Sequence, residues 1–379
     1  MTLLLLCNRF PPVVDGVGDY TANLAQALQG KGVQVHIICR AQNSIDVPER
    51  ISVHPIITSW NRKSRKKILD LSAEINPDWI GIQYVPTGFQ RHGLPWGLSG
   101  LVRALKKSGH RIFTMFHEVR VRKHGIRSCL IGSAQHWIAQ ALCRYSDKTI
   151  TSIELYARLL DSYREQTNVI PIGSNILPVP EEQTGKRSFP KQELVGCGPI
   201  LCTFGDRYIR SLLQAVQQLL PDFPDLRLIV CGKNRTPVDR LQFPFAMPTG
   251  YLEPSEIEAC LQASDLFILP DPVSANGHGG SSNKSGSLAA ACAAGLPIIG
   301  TQGNLNNALL EHGKNIYLVG RPNADALKKA IKTLLDQPEL RKTLGASSRR
   351  LHRKHLAWNV LAERYLDILN DNYTGHDSR

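Results

Sequence analysis

Asp265-Leu266-Phe267-Ile268-Leu269-Pro270-Asp271, then Gly279-Gly280-Ser281-Ser282-Asn283-Lys284-Ser285-Gly286-Ser287-Leu288, then Ala294-Gly295-Leu296-Pro297-Ile298-Ile299-Gly300-Thr301, form the stretch on which the fold turns. In order they read as a buried strand, a glycine-rich loop, a helix start and a second strand. That order assembles an anion pocket from backbone N–H groups. Gly279, Gly280 and Gly286 let the main chain come close to a ligand, and Ser287 is placed to cap a helix beginning near Leu288 and Ala289. A phosphate there would meet free amides and the positive end of the helix. A plainer reading stands beside it, because any strand-to-helix turn in an α/β protein can be rich in Gly and Ser.

Working outward, 379 residues exceed what one hydrophobic core usually supports, so two domains are expected. A hydrophobic content of 42% with 20% charged residues fits a globular protein. The net charge of +13 favours acidic partners, whether a nucleotide diphosphate, an anionic lipid surface or nucleic acid, and charge alone does not choose among them. The nine cysteines are scattered without a C-x-x-C pair, which reads as reduced, buried thiols in a cytoplasmic protein with no structural metal. Met1 to Cys7 lacks a basic leader and reads as a first central strand. No run reaches the roughly 18 apolar residues of a membrane span, so any membrane contact is expected to be peripheral.

Apolar runs of strand length alternate with segments of helical period: Leu3 to Cys7, Tyr20 to Gln29 and Val33 to Cys39, then again Ile200 to Phe204, Ser211 to Leu220, Leu226 to Cys231, Ile257 to Ala263 and Leu266 to Leu269. Alternation of this kind implies βαβ units and parallel sheets. Between the two sets, Pro171 to Pro190 is polar and proline-rich, the best linker candidate. The expectation is two Rossmann-like domains facing across a cleft, residues 1–175 and 176–354, with an amphipathic helix at 355–372 packing back near the junction. Ligands in such sheets bind beyond the carboxyl ends of the strands, so the loops after Cys7, Phe116, Phe204 and Leu269 are expected to carry the site.

Candidate chemistry lies on those loops. Gly16 and Gly18, in the loop from Phe10 to Tyr20, permit close backbone approach, yet the spacing is not G-x-G-x-x-G, so a phosphate or a sugar hydroxyl is expected there rather than a dinucleotide. His117 and Glu118 follow the strand-like Ile112 to Phe116. Arg207 and Arg210 follow Phe204-Gly205 and are suited to neutralise a diphosphate, or are simply solvated helix-start charges. The run Arg62-Lys63-Ser64-Arg65-Lys66-Lys67 and the cluster Arg120, Arg122, Lys123, His124 and Arg127 concentrate positive charge in the first half. With Trp60, Trp79 and Trp96 in the same half, a peripheral membrane patch is the sharper reading and a solvated face the plainer one.

Taken together these pieces resemble a glycosyltransferase of family 4, with two Rossmann domains in the GT-B arrangement. The resemblance rests on Pro11-Pro12 through Gly16-Val17-Gly18-Asp19-Tyr20-Thr21, Asp78 to Tyr84, Phe116-His117-Glu118, Val169 to Asn175, Gly250-Tyr251-Leu252, Ala263-Ser264-Asp265, Gly286-Ser287-Leu288 through Gly295-Leu296-Pro297, and Ala357-Trp358. It implies metal-independent, retaining transfer of a sugar from a nucleotide-activated donor to an acceptor hydroxyl in polysaccharide or glycolipid synthesis. The second half would hold the nucleotide and the first the sugar or lipid-linked acceptor.

By the same resemblance His117 and Arg207 are the catalytic candidates. Gly16, Val17, Gly18, Gly280, Ser282, Lys284, Gly286, Ser287 and Leu288 are candidates for the donor, and Asp19, Gln83 and Tyr84 for the acceptor, with no metal ligand. Two departures stand out: Ser282 and Ala290 occupy positions where many members carry Glu. An alternative therefore remains, a catalytically inactive paralogue that binds sugar nucleotides or a partner protein. Nucleic acid is not expected as a partner, since only net charge speaks for it.

Overall fold

The computed structural model describes residues 1–47, 49–120, 126–163, 166–176, 198–232, 236, 238–239 and 241–370, with residues 126–128 described as backbone alone. Residues 177–190 of the linker candidate Pro171 to Pro190 and the basic residues Arg122, Lys123 and His124 lie outside them, as does the Arg127 side chain. Two compact units are formed, Met1–Pro171 with Trp358–Arg379, and Ile172–Ala357.

The first unit holds a parallel sheet of seven strands in the order β3-β2-β1-β4-β5-β6-β7. Its strands are β1 (Thr2–Leu6), β2 (Gln34–Arg40), β3 (Ile51–Ile57), β4 (Trp79–Tyr84), β5 (Ile112–Phe116), β6 (Lys148–Thr151) and β7 (Thr167–Val169). Leu3 to Leu6 and Trp79 to Tyr84 are buried without alternation, because helices cover both faces of a parallel sheet. Helices α1 (Gly16–Gln29), α2 (Arg62–Ile75), α3 (Pro86–Phe89), α4 (Trp96–Lys107), α5 (Ile126–Tyr145) and α6 (Glu154–Asp161) make the connections. One face buries Leu4, Leu6, Ile80 and Ile82 against Ile68 of α2, Leu98 and Leu101 of α4 and Ile138 of α5. Strand order reverses between β1 and β4, so the loops leaving their carboxyl ends part there and open a crevice.

The second unit repeats the pattern with six parallel strands in the order β10-β9-β8-β11-β12-β13. These are β8 (Ile200–Phe204), β9 (Arg227–Cys231), β10 (Ala246–Gly250), β11 (Leu266–Ile268), β12 (Ile298–Thr301) and β13 (Tyr317–Val319). Helices α7 (Arg210–Gln217), α8 (Pro254–Gln262), α9 (Gly286–Ala294), α10 (Ala324–Asp336) and α11 (Pro338–Leu351) complete it, and the reversal falls between β8 and β11. Helix α9 is apolar on all sides, with Leu288 to Cys292 buried in the core. A π-helical turn, His352–Leu356, ends this unit.

The last helix, α12 (Trp358–Leu369), belongs to the first unit. Its stripe of Leu361, Ala362, Tyr365, Ile368 and Leu369 is buried, and it packs against α1. Tyr365 meets Phe113 of β5 with ring centroids 5.9 Å apart.

Several local expectations need correction. Helix α1 starts at Gly16, capped by Asp15, so Gly16 and Gly18 form its first turn rather than a preceding loop. Trp79 is buried beneath the Arg111 guanidinium, and Trp60 is tied through Nε1 to Asn8 Oδ1 at 2.9 Å. Of the three tryptophans expected on a surface patch only Trp96 is prominently exposed, at 55%, and Trp137 on the neighbouring α5 joins it at 64%. Cys129 is exposed, whereas the other described thiols are buried. Among the described residues no helix is long and apolar enough to cross a membrane.

Candidate functional site

In the second unit the chemistry gathers where β8 and β11 part. Arg207, three residues beyond β8, turns back across the gap. Its Nε donates to Asp271 Oδ1 at 3.1 Å, Nη1 donates to the Phe204 carbonyl and to Ser287 Oγ at 3.3 Å, and Nη2 donates to Ser285 Oγ at 3.2 Å. The two charged side chains are 12% and 19% exposed, so this pair is largely shielded from water. Asp271 Oδ2 also accepts from Ser281 Oγ at 3.0 Å, and Ser281 Oγ accepts from the Thr301 N–H at 3.0 Å. One carboxylate thereby binds the ends of β8 and β12 to the glycine-rich turn. Arg210, by contrast, is an exposed charge at the start of α7, as its plainer reading had it.

The turn itself differs from the sequence expectation in three ways. The helix cap is Ser285, whose Oγ accepts from the Leu288 N–H at 3.2 Å, because α9 begins at Gly286 rather than near Leu288. The Leu288 amide is therefore engaged, and its side chain is buried. Gly279 and Gly280 serve the protein's own backbone: a Cβ on Gly279 would lie 2.0 Å from the Pro272 oxygen, and one on Gly280 2.7 Å from the Gly303 nitrogen. Their amides already donate, to Asn304 Oδ1 at 3.2 Å and to the Pro272 carbonyl at 3.2 Å.

What remains open is the first turn of α9. Neither the Gly286 nor the Ser287 N–H has an acceptor among the described residues, and a Cβ on Gly286 would meet nothing within 4 Å. These amides sit beside the Arg207 guanidinium, with Lys284, half-buried, two residues before Gly286. An N-terminal first turn with free donors and a neighbouring cation attracts anions. Ser282 is 4% exposed and Ala290 1%. Asn283, not singled out from sequence, donates from Nδ2 to Asn307 Oδ1 at 2.7 Å, while its buried Oδ1 has no partner among the described residues.

In the first unit the crevice between β1 and β4 is lined by the α1 start and the β4 and β5 ends. The Asp15 carboxylate accepts from the Gly18 N–H at 2.9 Å, so this one of the expected donor-binding amides is capped from within. Gly18 is required by packing, since a Cβ would stand 2.7 Å from the Arg9 carbonyl oxygen, whereas Gly16 faces open space. Burial raises the Asp15 carboxyl. Burial, with the Asp15 charge behind it, pushes Asp19 up to about 6.

His117 stands at the carboxyl end of β5, its backbone N–H on the Tyr84 carbonyl at 3.0 Å and its Nε2 2.9 Å from Gln83 Oε1. Burial pushes its imidazole down to about 3, so the ring is neutral at physiological pH. Glu118 is exposed. Tyr84 does not reach solvent as an acceptor contact would require: it is fully buried, its ring packed between Phe89 and Phe116.

Of the residues singled out from sequence, the structure brings Arg207 and Ser287 into contact beside Gly286 in the second unit, and His117 and Gln83 into contact in the first; Asp271, Ser281 and Ser285 were not singled out. Asp271 carried a signal, an acidic residue just past a buried strand. Ser285 carried another, an N-cap residue three positions before the buried Leu288.

Comparison with known proteins agrees with this architecture. The family model for "Glycosyltransferase Family 4" matches residues 14–176, and that for "Glycosyl transferases group 1" matches residues 205–351. Spore coat protein SA of Bacillus subtilis (strain 168) is 27% identical over 179 residues, which span 42% of this chain and 45% of that relative, less than half its length. Among solved structures, sucrose-phosphate synthase from Thermosynechococcus elongatus aligns over 98% of this chain and 99% of its own, with a TM-score of 0.71 at 17% identity. Anabaena HepE in complex with UDP and glucose aligns over 98% and 100%, with a TM-score of 0.68 at 14% identity. Two family matches that together take in most of the chain, on two parallel-sheet domains of the same build, mean that this protein belongs to the family 4 glycosyltransferases of GT-B fold.

Proposed function

We propose that this chain moves a sugar from a nucleotide-diphosphate donor to a hydroxyl of a sugar or lipid-linked acceptor, with retention of configuration, in polysaccharide or glycolipid synthesis. The observation that carries the reading is the open first turn of α9, where the Gly286 and Ser287 amides stand unpartnered among the described residues beside Arg207. When the bond from the sugar carbon to the diphosphate breaks, the nucleotide leaves with added negative charge. Fixed N–H donors and a guanidinium held by Asp271 stabilise that charge without reorganising, and Lys284 adds to the positive field. These groups take the part a divalent cation plays elsewhere. In the first unit, neutral His117 is assigned to the donor sugar and Asp19 to the acceptor side, while Gln83, buried like Tyr84, serves to hold His117. That Anabaena HepE is described with UDP and with UDP-glucose supports a uridine nucleotide as the first donor to try. Exposed Trp96, on the helix that packs against the basic α2, and exposed Trp137, on the adjoining α5, support a peripheral membrane contact.

A second reading is favoured by one observation. Ser282 and Ala290 are buried and supply no carboxylate, which fits a relative that binds sugar nucleotides without turning them over.

Gly286→Asp tests the site directly. The new side chain enters open space, an acidic residue suits the first turn of a helix, and its carboxylate occupies the anion position. We expect an unchanged or slightly higher melting temperature, with UDP affinity reduced at least about tenfold in calorimetry. Wild-type affinity in this variant would place the nucleotide elsewhere. UDP binding by the unaltered protein, with no UDP released from UDP-glucose or other sugar nucleotides, selects the inactive reading.

A further inference from the structure

The final helix of the chain returns to the first unit and builds an aromatic stack behind His117. Tyr20 of α1 and Tyr365 of α12 are 345 positions apart, both essentially without solvent exposure, and their hydroxyl oxygens are 3.0 Å apart. The Tyr20 ring packs edge-on against His117 at 4.8 Å with the planes at 81°, and Trp358, the first residue of α12, packs against Tyr20 at 5.1 Å. Tyr365 is seated in turn on Phe113 of β5, the strand that ends one residue before His117. On its other side the imidazole is held by Gln83 of β4.

We infer that Tyr20, locked by Tyr365 and Trp358 of the C-terminal helix, is a positioning residue that holds the His117 imidazole in one orientation and one tautomer. Gln83 Oε1 accepts, so the ring proton sits on Nε2 and Nδ1 keeps its lone pair. Tyr20 blocks the half-turn of the ring that would exchange these nitrogens for carbons. Edge-to-face aromatic contacts are directional, enough to fix a side chain whose rotamers otherwise differ by little. The ring is neutral in this packed setting, so the tautomer decides which atom it presents. The inference rests on the assignment of His117 to the donor sugar only for its effect on turnover; the positioning itself is a property of the first unit.

The full chain, labelled with ¹⁵N-histidine, provides the test, with the His117 signals assigned by their loss in His117→Gln. The wild type is expected to show a single Nε2–H tautomer that does not titrate between pH 5 and 8. Tyr20→Leu, and more mildly Trp358→Leu, should give averaged ¹⁵N shifts of mixed tautomers. In the same variants UDP release from UDP-glucose should slow about tenfold, with KM changed by less than about threefold. The Tyr20→Phe/Tyr365→Phe pair keeps the Tyr20 ring contacts with His117 and Trp358 and loses only the hydroxyl tie, so it should show clearly less tautomer averaging than Tyr20→Leu. Trp358 is only half-buried, so its substitution supplies a folded variant if Tyr20→Leu does not fold. An unchanged single-tautomer signal in the folded leucine variants overturns the positioning role. Mixed tautomers with unchanged UDP release uphold that role and remove His117 from the reaction.

Discussion

Arg207 and Asp271 are expected to be a strongly coupled pair whose main task is to hold the site's loops together. The perturbation is a double-mutant cycle of Arg207→Met, Asp271→Asn and the two combined. At an N–O distance of 3.1 Å the charge centres lie roughly 4 Å apart, which at an effective dielectric of about 20 corresponds to about 4 kcal/mol of attraction. Desolvation of side chains only 12% and 19% exposed offsets part of it. The net coupling is therefore expected near 2 kcal/mol. Asp271→Asn alone should cost about 2–3 kcal/mol, because it leaves a shielded guanidinium without a counter-charge, and the double variant should lose clearly less than the sum of the single ones.

Urea unfolding read by two probes localises the effect. All five tryptophans, Trp60, Trp79, Trp96, Trp137 and Trp358, lie in the first unit, so fluorescence follows that unit while far-UV circular dichroism reports on both. The dichroism transition should move to lower urea and the fluorescence transition should stay closer to its wild-type position. A coupling energy below about 0.5 kcal/mol would refute the reasoning and leave Arg207 as a group that serves the ligand alone.

Two further predictions concern the first turn of α1. Gly18→Ala is expected to destabilise by about 2 kcal/mol, because its Cβ would press on the Arg9 carbonyl, whereas Gly16→Ala enters open space and should stay within about 0.5 kcal/mol; equal melting temperatures would mean that the Arg9 segment yields freely. Asp19 is raised to about 6 by burial and Asp15, so folding favours its protonated form. The penalty is absent below about pH 4, grows as pH rises through 6, and is complete above it. Allowing for partial exposure, Asp19→Asn should gain about 1 kcal/mol at pH 7.5 and none at pH 4; parallel stability curves for the two proteins across that window count against a raised carboxyl.

The strands were legible because parallel sheets covered on both faces demand unbroken apolar runs, and Leu3 to Cys7, Ile200 to Phe204 and Leu266 to Leu269 are such runs. The glycine-rich turn was legible as a turn, yet its parts were misassigned. Gly280 looked available to a ligand, but its missing side chain makes room for Gly303 and Thr301, residues more than twenty positions on. Ser287 looked like the cap, but Ser285 caps the helix two positions earlier and leaves the Ser287 hydroxyl to accept from Arg207. Tyr84, an acceptor candidate by resemblance, is a buried core aromatic.

By itself the sequence determined what depends on neighbours within a few positions: the alternation of strand and helix, its repetition in two halves, and the places where backbone amides begin a helix. Hydrophobic period and turn chemistry are local, so they can be read along a line. Only the tertiary structure decided that Asp271 engages Arg207 from 64 positions away, and that the last helix joins the first unit to put Tyr365 on Tyr20. Which polar groups stay open to a ligand and which are used internally depends on loops brought together by strand order. That convergence exists only once both sheets have formed.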